Sequence, residues 1–157
     1  MVSTNTLANN DAQQYARPVL NQAVRLSWEL SDPNQLAGVQ DVVASAMEKL
    51  NYYPRDQYAV QMGLQETVFN AFEHGNSMCP TKKVYVTATI CDNKCWFQIE
   101  DEGAGFDVEN VPDPTLPENL TRLDGRGIYM MKAFLDSVEY QSPGNVVTIS
   151  KQRTIEN

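Results

Sequence analysis

Three polar side chains recur at every fourth position of an otherwise apolar segment, namely Glu66, Asn70 and His74. Four residues advance an α-helix by about 400°, so the three side chains share one stripe of a helix. Apolar residues take most of the remaining circumference, which indicates a buried helix. Because an unpaired buried carboxylate or amide is costly, the stripe must face a partner, a cavity or a ligand. The spacing therefore predicts a functional site.

Two glycine motifs could complete this site. The first is the loop Asp101–Phe106, which follows a predicted strand, and the second is Gly125–Gly127, which opens a predicted helix. Glycines at the start of a helix expose backbone N–H groups at the positive end of the helix dipole, where phosphates bind. A carboxylate at the end of a strand, here Asp101, can accept a hydrogen bond from the exocyclic amine of a purine.

Asn70 and Glu66 lie one helical turn apart and could divide the chemistry at a phosphate group. An asparagine oxygen can ligate Mg²⁺, which takes few protein oxygens and shares its other positions with phosphates and water. A glutamate beside it can act as a base or position a nucleophile. The stripe and the two glycine motifs are therefore predicted to form one site.

Strands and helices must alternate along the chain to bring these residues together. Apolar residues at every second position predict strands over 24–30, 83–90, 95–100, 138–140 and 146–150. Helical spacing predicts helices from Asp32-Pro33 to about residue 50, from near Pro54 to about His74, and over 125–135. The order β-α-α-β-β-loop-α-β-β predicts an α+β two-layer sandwich, with a mostly antiparallel mixed sheet and helices on one face.

Two further segments carry predictions of their own. Residues 107–124 contain three prolines and no clear periodicity, and a loop of that length in a compact domain is usually functional, often a lid. The apolar stripe of the first helix could be core or a dimer surface, and core is the favoured interpretation. This stripe comprises Leu36, Val39, Val43, Met47 and Leu50.

Length and charge limit the classes of function. The 157 residues suffice for one domain, so we predict a single domain over residues 21–157 after a flexible N-terminal extension over residues 1–20. The net charge of −8 gives no electrostatic footprint for nucleic acid or for an anionic membrane. No apolar run approaches the ~20 residues of a membrane helix, and the polar N-terminus is unlike a signal peptide. A cytoplasmic location is expected.

The cysteines and the single histidine are predicted to have no catalytic role. Three cysteines, Cys79, Cys91 and Cys95, fit free thiols better than a disulfide framework because their number is odd. Together with His74 they make four potential zinc ligands, but their spacing matches no common zinc pattern. A lone histidine near a helix end more often packs or caps than reacts, so His74 is predicted to be structural.

The three motifs, in this order and at these separations, resemble those of the GHKL ATPases, the group of gyrase, heat-shock chaperone, histidine kinase and MutL proteins. Their combination in a short chain resembles the anti-sigma-factor serine kinases of the RsbW type, over about residues 23–151. The motifs are Glu66-x3-Asn70-Ala71-x2-His74-Gly75 for the N box, Asp101-x-Gly103-x-Gly105-Phe106 for the G1 box, and Gly125-Arg126-Gly127-Ile128-Tyr129-Met130-Met131 for the G2 box.

This resemblance implies a Bergerat-type ATP-binding fold and a role for each matched residue. Glu66 would be the general base for an incoming serine hydroxyl, and Asn70 would bind Mg²⁺. Asp101 would accept from the adenine amine, and Thr148 would help to hold adenine through water. Either Arg122 or Arg126 would be the arginine near the γ-phosphate. The remaining nucleotide contacts would come from Gly103, Gly105, Gly125, Arg126 and Gly127.

The same resemblance implies an ATP- and Mg²⁺-dependent protein serine kinase that is also an anti-sigma factor. Such a protein phosphorylates a serine on an antagonist protein and sequesters a sigma factor or similar regulator, and homodimerisation is implied as well. The alternative is a nucleotide-dependent anti-sigma or adaptor module without physiological phosphoryl transfer. A detached histidine-kinase domain is disfavoured because the only histidine lies in the N box. A MutL-like ATPase would need a downstream transducer domain.

Overall fold

The computed structural model of the chain describes residues 23–105, 107 and 126–155. The predicted extension over residues 1–20 lies outside the described residues, as does almost all of the predicted lid. Phe106, Arg122 and Gly125 lie outside them too, so the roles expected of these residues stay predictions.

Five strands form one sheet in the order β1-β2-β3-β5-β4. In each strand apolar and polar residues alternate, because one face of the strand is buried against the helices. Every pairing among the described strands is antiparallel, so the parallel component of a mixed sheet is absent from this part of the chain. The strands are β1 (Val24–Leu30), β2 (Val84–Ile90), β3 (Lys94–Asp101), β4 (Ser137–Gln141) and β5 (Val146–Gln152).

Within the described residues three α-helices cover the sheet, and the predicted α+β fold class is confirmed. Helix α1 (Leu36–Lys49) follows a short 3₁₀ turn, and helix α2 (Pro54–Asn70) continues into a five-residue π-helical turn, Ala71–Gly75. Helix α3 (Arg126–Phe134) leads into β4. Among the described residues, no helix combines the length and the apolar character that spanning a bilayer requires.

Asp32 caps the 3₁₀ turn as the sequence predicted. Its carboxylate accepts from the backbone N–H of Asn34 at 2.7 Å, and Gln35 accepts from the Asp32 N–H at 3.1 Å. This reciprocal arrangement satisfies two of the N–H groups that a helix start leaves unpaired. The stripe of α1 then packs into the core, because Leu36, Val39, Val43 and Met47 are all buried, which confirms the core interpretation over the dimer surface.

The core fills the space between the helices and one face of the sheet. Strand register places Val86 opposite Trp28 and Ile99, so these side chains share the inner face. The alternate residues of β2 and β3 point outward and are largely exposed. Asp101, at the end of β3, belongs to the inner, buried set, which puts its carboxylate on the helix side of the sheet.

A buried carboxylate in α2 anchors the segment that follows β5. Asp56 accepts from the backbone N–H of Thr154 at 2.7 Å and from its hydroxyl at 2.8 Å, and Lys151 Nζ lies 4.0 Å away. Asp56 is 1% exposed, and these donors offset the cost of burying its charge. The contact fastens the first turn of α2 to β5, and α2 is the helix that carries Glu66 and Asn70.

Candidate functional site

Glu66 and Asn70 lie side by side near the end of α2. Asn70 Nδ2 donates to Glu66 Oε1 at 3.0 Å, and both residues are half-buried. Their four-residue spacing creates this contact, as the sequence predicted. The bond commits the amide nitrogen of Asn70 to the carboxylate, so the amide presents its oxygen on the other side.

Gly127 brings the first turn of α3 against Glu66. A Cβ built on Gly127 would overlap the Glu66 carboxyl group, so any other residue there would force this carboxyl group to move. Arg126, the first residue of α3, is exposed beside it. The third predicted glycine-motif residue, Gly125, and the alternative arginine, Arg122, lie outside the described residues. The positive end of a helix therefore lies next to the Glu66–Asn70 pair.

Asp101 lies at the other end of the site, where the helical segment meets the glycine loop. The residue is 8% exposed, and its carboxylate accepts from the Gly103 N–H at 2.7 Å. Its backbone is held by Asn145, which accepts from the Asp101 N–H at 3.0 Å and donates through Nδ2 to the Asp101 carbonyl at 3.1 Å. Gly75 packs directly on the carboxyl group, since a Cβ there would overlap it.

Gly105 is required by the backbone itself. Its φ of +81° lies in the left-handed region that favours glycine, and a Cβ there would overlap the carbonyl of Pro143. The sequence assigned Gly105 to the approach of a ligand. The structure adds a second reason for glycine, which is close contact with the turn between β4 and β5.

The site therefore has two ends joined by one helical segment. Glu66, Asn70 and Gly127 form one end, and Asp101 and Gly75 form the other. Gly75 lies nine positions after Glu66 in the chain, which corresponds to roughly 13 Å at the rise of an α-helix. One end offers a helix N-terminus and oxygen ligands, and the other offers a buried acceptor. A ligand with phosphates at one end and a hydrogen-bond-donating base at the other matches this arrangement.

Thr148 is not brought to this site. Register places it opposite Gln98 and Glu139, on the outer face of the sheet. Its neighbours Val147 and Ile149 are buried on the inner face, and successive strand residues point to opposite faces. The expectation that Thr148 helps to hold a base beside Asp101 is therefore corrected, because the sheet lies between them.

His74 lies in a π-helical turn that the four-residue spacing did not predict. In the turn Ala71–Gly75 the Asn76 N–H donates to the Ala71 carbonyl at 2.8 Å, five residues back. His74 is exposed, and its Nε2 lies 4.0 Å from Glu73 Oε2.

Two asparagines of the site region were missed as site residues. Neither Asn76 nor Asn145 was predicted to take part in the site, yet both hold the backbone around Asp101. Asn76 directly follows the N box, and Asn145 lies in the turn Ser142–Asn145, so neither carries a motif of its own. Only the pairing of distant segments reveals them.

Burial perturbs the acid–base behaviour of Asp101. Its pKa is raised above the ordinary value of 3.8, chiefly because burial disfavours the charged form. The Gly103 N–H and the positive charge of Lys82 oppose this rise, but they are smaller effects. The protein therefore holds a carboxylate at this position at a cost in stability, as is common at binding sites.

Residues 30–151 match the family described as "Histidine kinase-like ATPase domain". Similar proteins include the anti-sigma F factor of Heyndrickxia coagulans, which is 37% identical over 105 residues, or 62% of this chain and 70% of that protein. The anti-sigma F factor of Clostridium perfringens is 33% identical over 89 residues, covering 55% of this chain and 63% of its own length. That of Oceanobacillus iheyensis is 31% identical over 116 residues, covering 70% and 79%.

The raised pKa of Asp101 makes a pH-dependent prediction. Between the unfolded pKa near 3.8 and the higher folded pKa, the native state binds more protons than the unfolded state. Ionisation of Asp101 therefore lowers the free energy of unfolding as pH rises through this window. Asp101→Asn removes the effect, so the stability of the variant relative to wild type should increase from pH 4 to pH 7, measured by urea unfolding.

The matched control is Glu139→Gln, which neutralises an exposed carboxylate on the outer face of β4 that does not contribute to the pKa shift of Asp101. Its stability relative to wild type should change little over the same pH range. A relative stability of Asp101→Asn that falls as pH rises would contradict the assignment of burial as the dominant cause.

Proposed function

Because the chain belongs to the family of histidine kinase-like ATPase domains, we propose that it binds ATP with Mg²⁺ and transfers the γ-phosphoryl group to a serine of a partner protein. The observation that carries the proposal is the contact of Gly127 with Glu66, which joins a helix N-terminus to a carboxylate paired with an amide. The proposal takes residues 21–157 as one kinase domain and residues 1–20 as an extension.

The base end of the site supports adenine as the bound base. An ionised carboxylate can only accept hydrogen bonds, and adenine offers an amine where guanine carries a carbonyl oxygen. Asp101 is buried beside Gly75 and Gly103, so a base reaching it would be read in a dry environment. Gly103 and Gly105 complete the adenine loop in this proposal.

The phosphate end supports a bound Mg²⁺ and a triphosphate. The hydrogen bond from Asn70 Nδ2 to Glu66 leaves the amide oxygen of Asn70 as the metal ligand, the oxygen chemistry that Mg²⁺ prefers. When bound, Mg²⁺ neutralises charge on the phosphates. Gly125 and Gly127 would meet the phosphates through backbone N–H groups. Arg126 or Arg122 would supply positive charge near the γ-phosphate.

Glu66 would be the general base. One of its carboxylate oxygens accepts from Asn70, which orients the group and leaves the other oxygen for a hydroxyl. The serine oxygen would form a bond to the γ-phosphorus, the bond from that phosphorus to the leaving ADP oxygen would break, and the serine proton would pass to Glu66. Such a reaction depends mainly on positioning and charge neutralisation.

The relatives suggest the partners. Three similar proteins are named anti-sigma F factors, so we propose that this chain sequesters a sigma factor or similar regulator and phosphorylates an antagonist protein. A phosphate on the antagonist adds about −1.5 to −2 charge, which can break a protein interface, and the partner switch would follow. A homodimer is part of this proposal.

A second candidate is a nucleotide-dependent anti-sigma or adaptor module that transfers no phosphate. The names of the relatives favour this second candidate, because they state a relation to a sigma factor and name no reaction. Retention of Glu66 beside Asn70 favours the kinase, since a binding module has no need of a base.

The kinase proposal predicts the behaviour of Glu66→Gln. Glutamine can still accept from Asn70 but cannot take the serine proton, so transfer should fall about 10²–10⁴-fold. ATP affinity should stay within a few-fold of wild type. The measurement is phosphate transfer from Mg-ATP to a candidate antagonist, with calorimetry for ATP and with Glu73→Gln, an exposed glutamate in the π turn, as the control. A rate of transfer that is the same in wild type and in Glu66→Gln would refute Glu66 as the base. A wild-type protein that binds ATP and a sigma factor but transfers no phosphate would favour the adaptor function.

Gly127→Ala tests the contact between α3 and Glu66. The added Cβ must displace the carboxyl group, so transfer should fall at least about tenfold, as expected for a misplaced base. The free energy of unfolding should change little because a flexible side chain can move aside. Gly38→Ala in α1 is the matched control, since a Cβ there meets no atom within 4 Å and alanine favours helix by up to about 1 kcal/mol. Equal transfer rates in the two variants would contradict the proposed role of this contact.

A further inference from the structure

Asn76 is almost completely buried beside the site, at 1% exposure. Its Nδ2 donates to the carbonyl of Lys83 at 2.8 Å, and its Oδ1 accepts from the backbone N–H of Glu102 at 2.9 Å. Its own backbone N–H donates to the carbonyl of Ala71 at 2.8 Å. One residue therefore joins the end of the helical segment, the start of β2 and the glycine loop.

The segments that Asn76 joins are those that create the base end of the site. Gly75, the preceding residue, packs on the Asp101 carboxyl group, and the Gly75 carbonyl fills the space where a Gly103 side chain would lie. Gly103 in turn donates its N–H to Asp101. Glu102 lies between Asp101 and Gly103 in the chain. The hydrogen bond from its N–H to Asn76 therefore fixes the loop that orients the Asp101 carboxylate.

The phosphate end depends on other contacts. Glu66 and Asn70 bond to each other, and Gly127 packs on Glu66 from α3. The side-chain hydrogen bonds of Asn76 go to Lys83 and Glu102, and neither of them joins one of these three residues. A change at Asn76 should consequently act on the base end and leave the phosphate end in place.

We propose that Asn76 is a positioning residue that sets the place of the Asp101 carboxylate relative to the phosphate end, and thereby the preference of the site for adenine over guanine nucleotides. The inference rests on the proposed nucleotide function. Without the acceptor of Asn76, the loop 102–105 loses its link to the helix end, and the Asp101 carboxylate loses its fixed orientation. A carboxylate that can rotate away discriminates less well between an amine and a carbonyl.

Asn76→Ala tests the proposal through nucleotide selectivity. In calorimetry, wild type should bind Mg-ATP more tightly than Mg-GTP. Asn76→Ala should bind Mg-ATP roughly tenfold more weakly than wild type does, which is the effect of about one lost hydrogen bond. GTP affinity should change less than twofold, so the ratio of the two affinities should fall. In transfer assays KM for ATP should rise while kcat stays near wild type, because the Glu66 end is untouched.

A matched control separates positioning from loss of stability. Gln40→Ala removes another half-buried amide, which donates to the Gln61 carbonyl at 3.2 Å between α1 and α2, remote from Asp101. This variant should lower the urea midpoint without changing the ATP-to-GTP ratio. Asn76→Asp keeps the acceptor for the Glu102 N–H and should restore part of the selectivity.

The outcomes distinguish this inference from the proposed function. Wild type that binds neither nucleotide would overturn both. Wild type that prefers ATP, with an unchanged ratio in Asn76→Ala, would overturn the positioning role alone. If Asn76→Ala does not fold, hydrogen exchange on the wild type tests the proposal instead. The backbone amide of Glu102 should be protected from exchange in the absence of nucleotide. Rapid exchange of this amide would overturn the proposal.

Discussion

A carboxylate packed directly on a glycine forms each end of the candidate site. Glu66 meets Gly127 at one end, and Asp101 meets Gly75 at the other. A side chain at Gly127 or Gly75 would occupy the space of the carboxyl group that it faces. The backbone can approach each carboxylate this closely because glycine has no Cβ. This constraint lets α3 approach α2 and lets the helix end approach β3, and it leaves both carboxylates half-buried or buried beside backbone N–H groups.

The fold is arranged to hold these two contacts at a fixed separation. Asp56 fastens the start of α2 to the segment after β5, and Asn76 fastens the end of the helical segment to the glycine loop. The π turn after Asn70 ends at Gly75, which packs against the Asp101 carboxyl group. The site is thus stretched along one helical segment whose two ends are tied to the sheet.

The sequence predicted much of this architecture because periodicity reports burial directly. The strand Val24–Leu30 was predicted to the residue, α2 begins at Pro54 where a start near this residue was predicted, and the Glu66–Asn70 contact followed from spacing. The π turn that carries His74 was not predictable from a 3.6-residue period. The bond between Asp56 and Thr154 spans 98 residues, and no local pattern encodes such a pairing. Thr148 was misplaced by motif matching, although the burial of Val147 and Ile149 fixes its outward direction.

The central claim is that Asp101 reads the base of a bound adenine nucleotide. Calorimetry of Mg-ATP binding to wild type and to Asp101→Asn tests it most directly. The account predicts that wild type binds ATP and that the folded variant binds it about 10–100-fold more weakly, the effect of losing a hydrogen bond to a charged group. Undiminished ATP affinity in the variant would contradict the account.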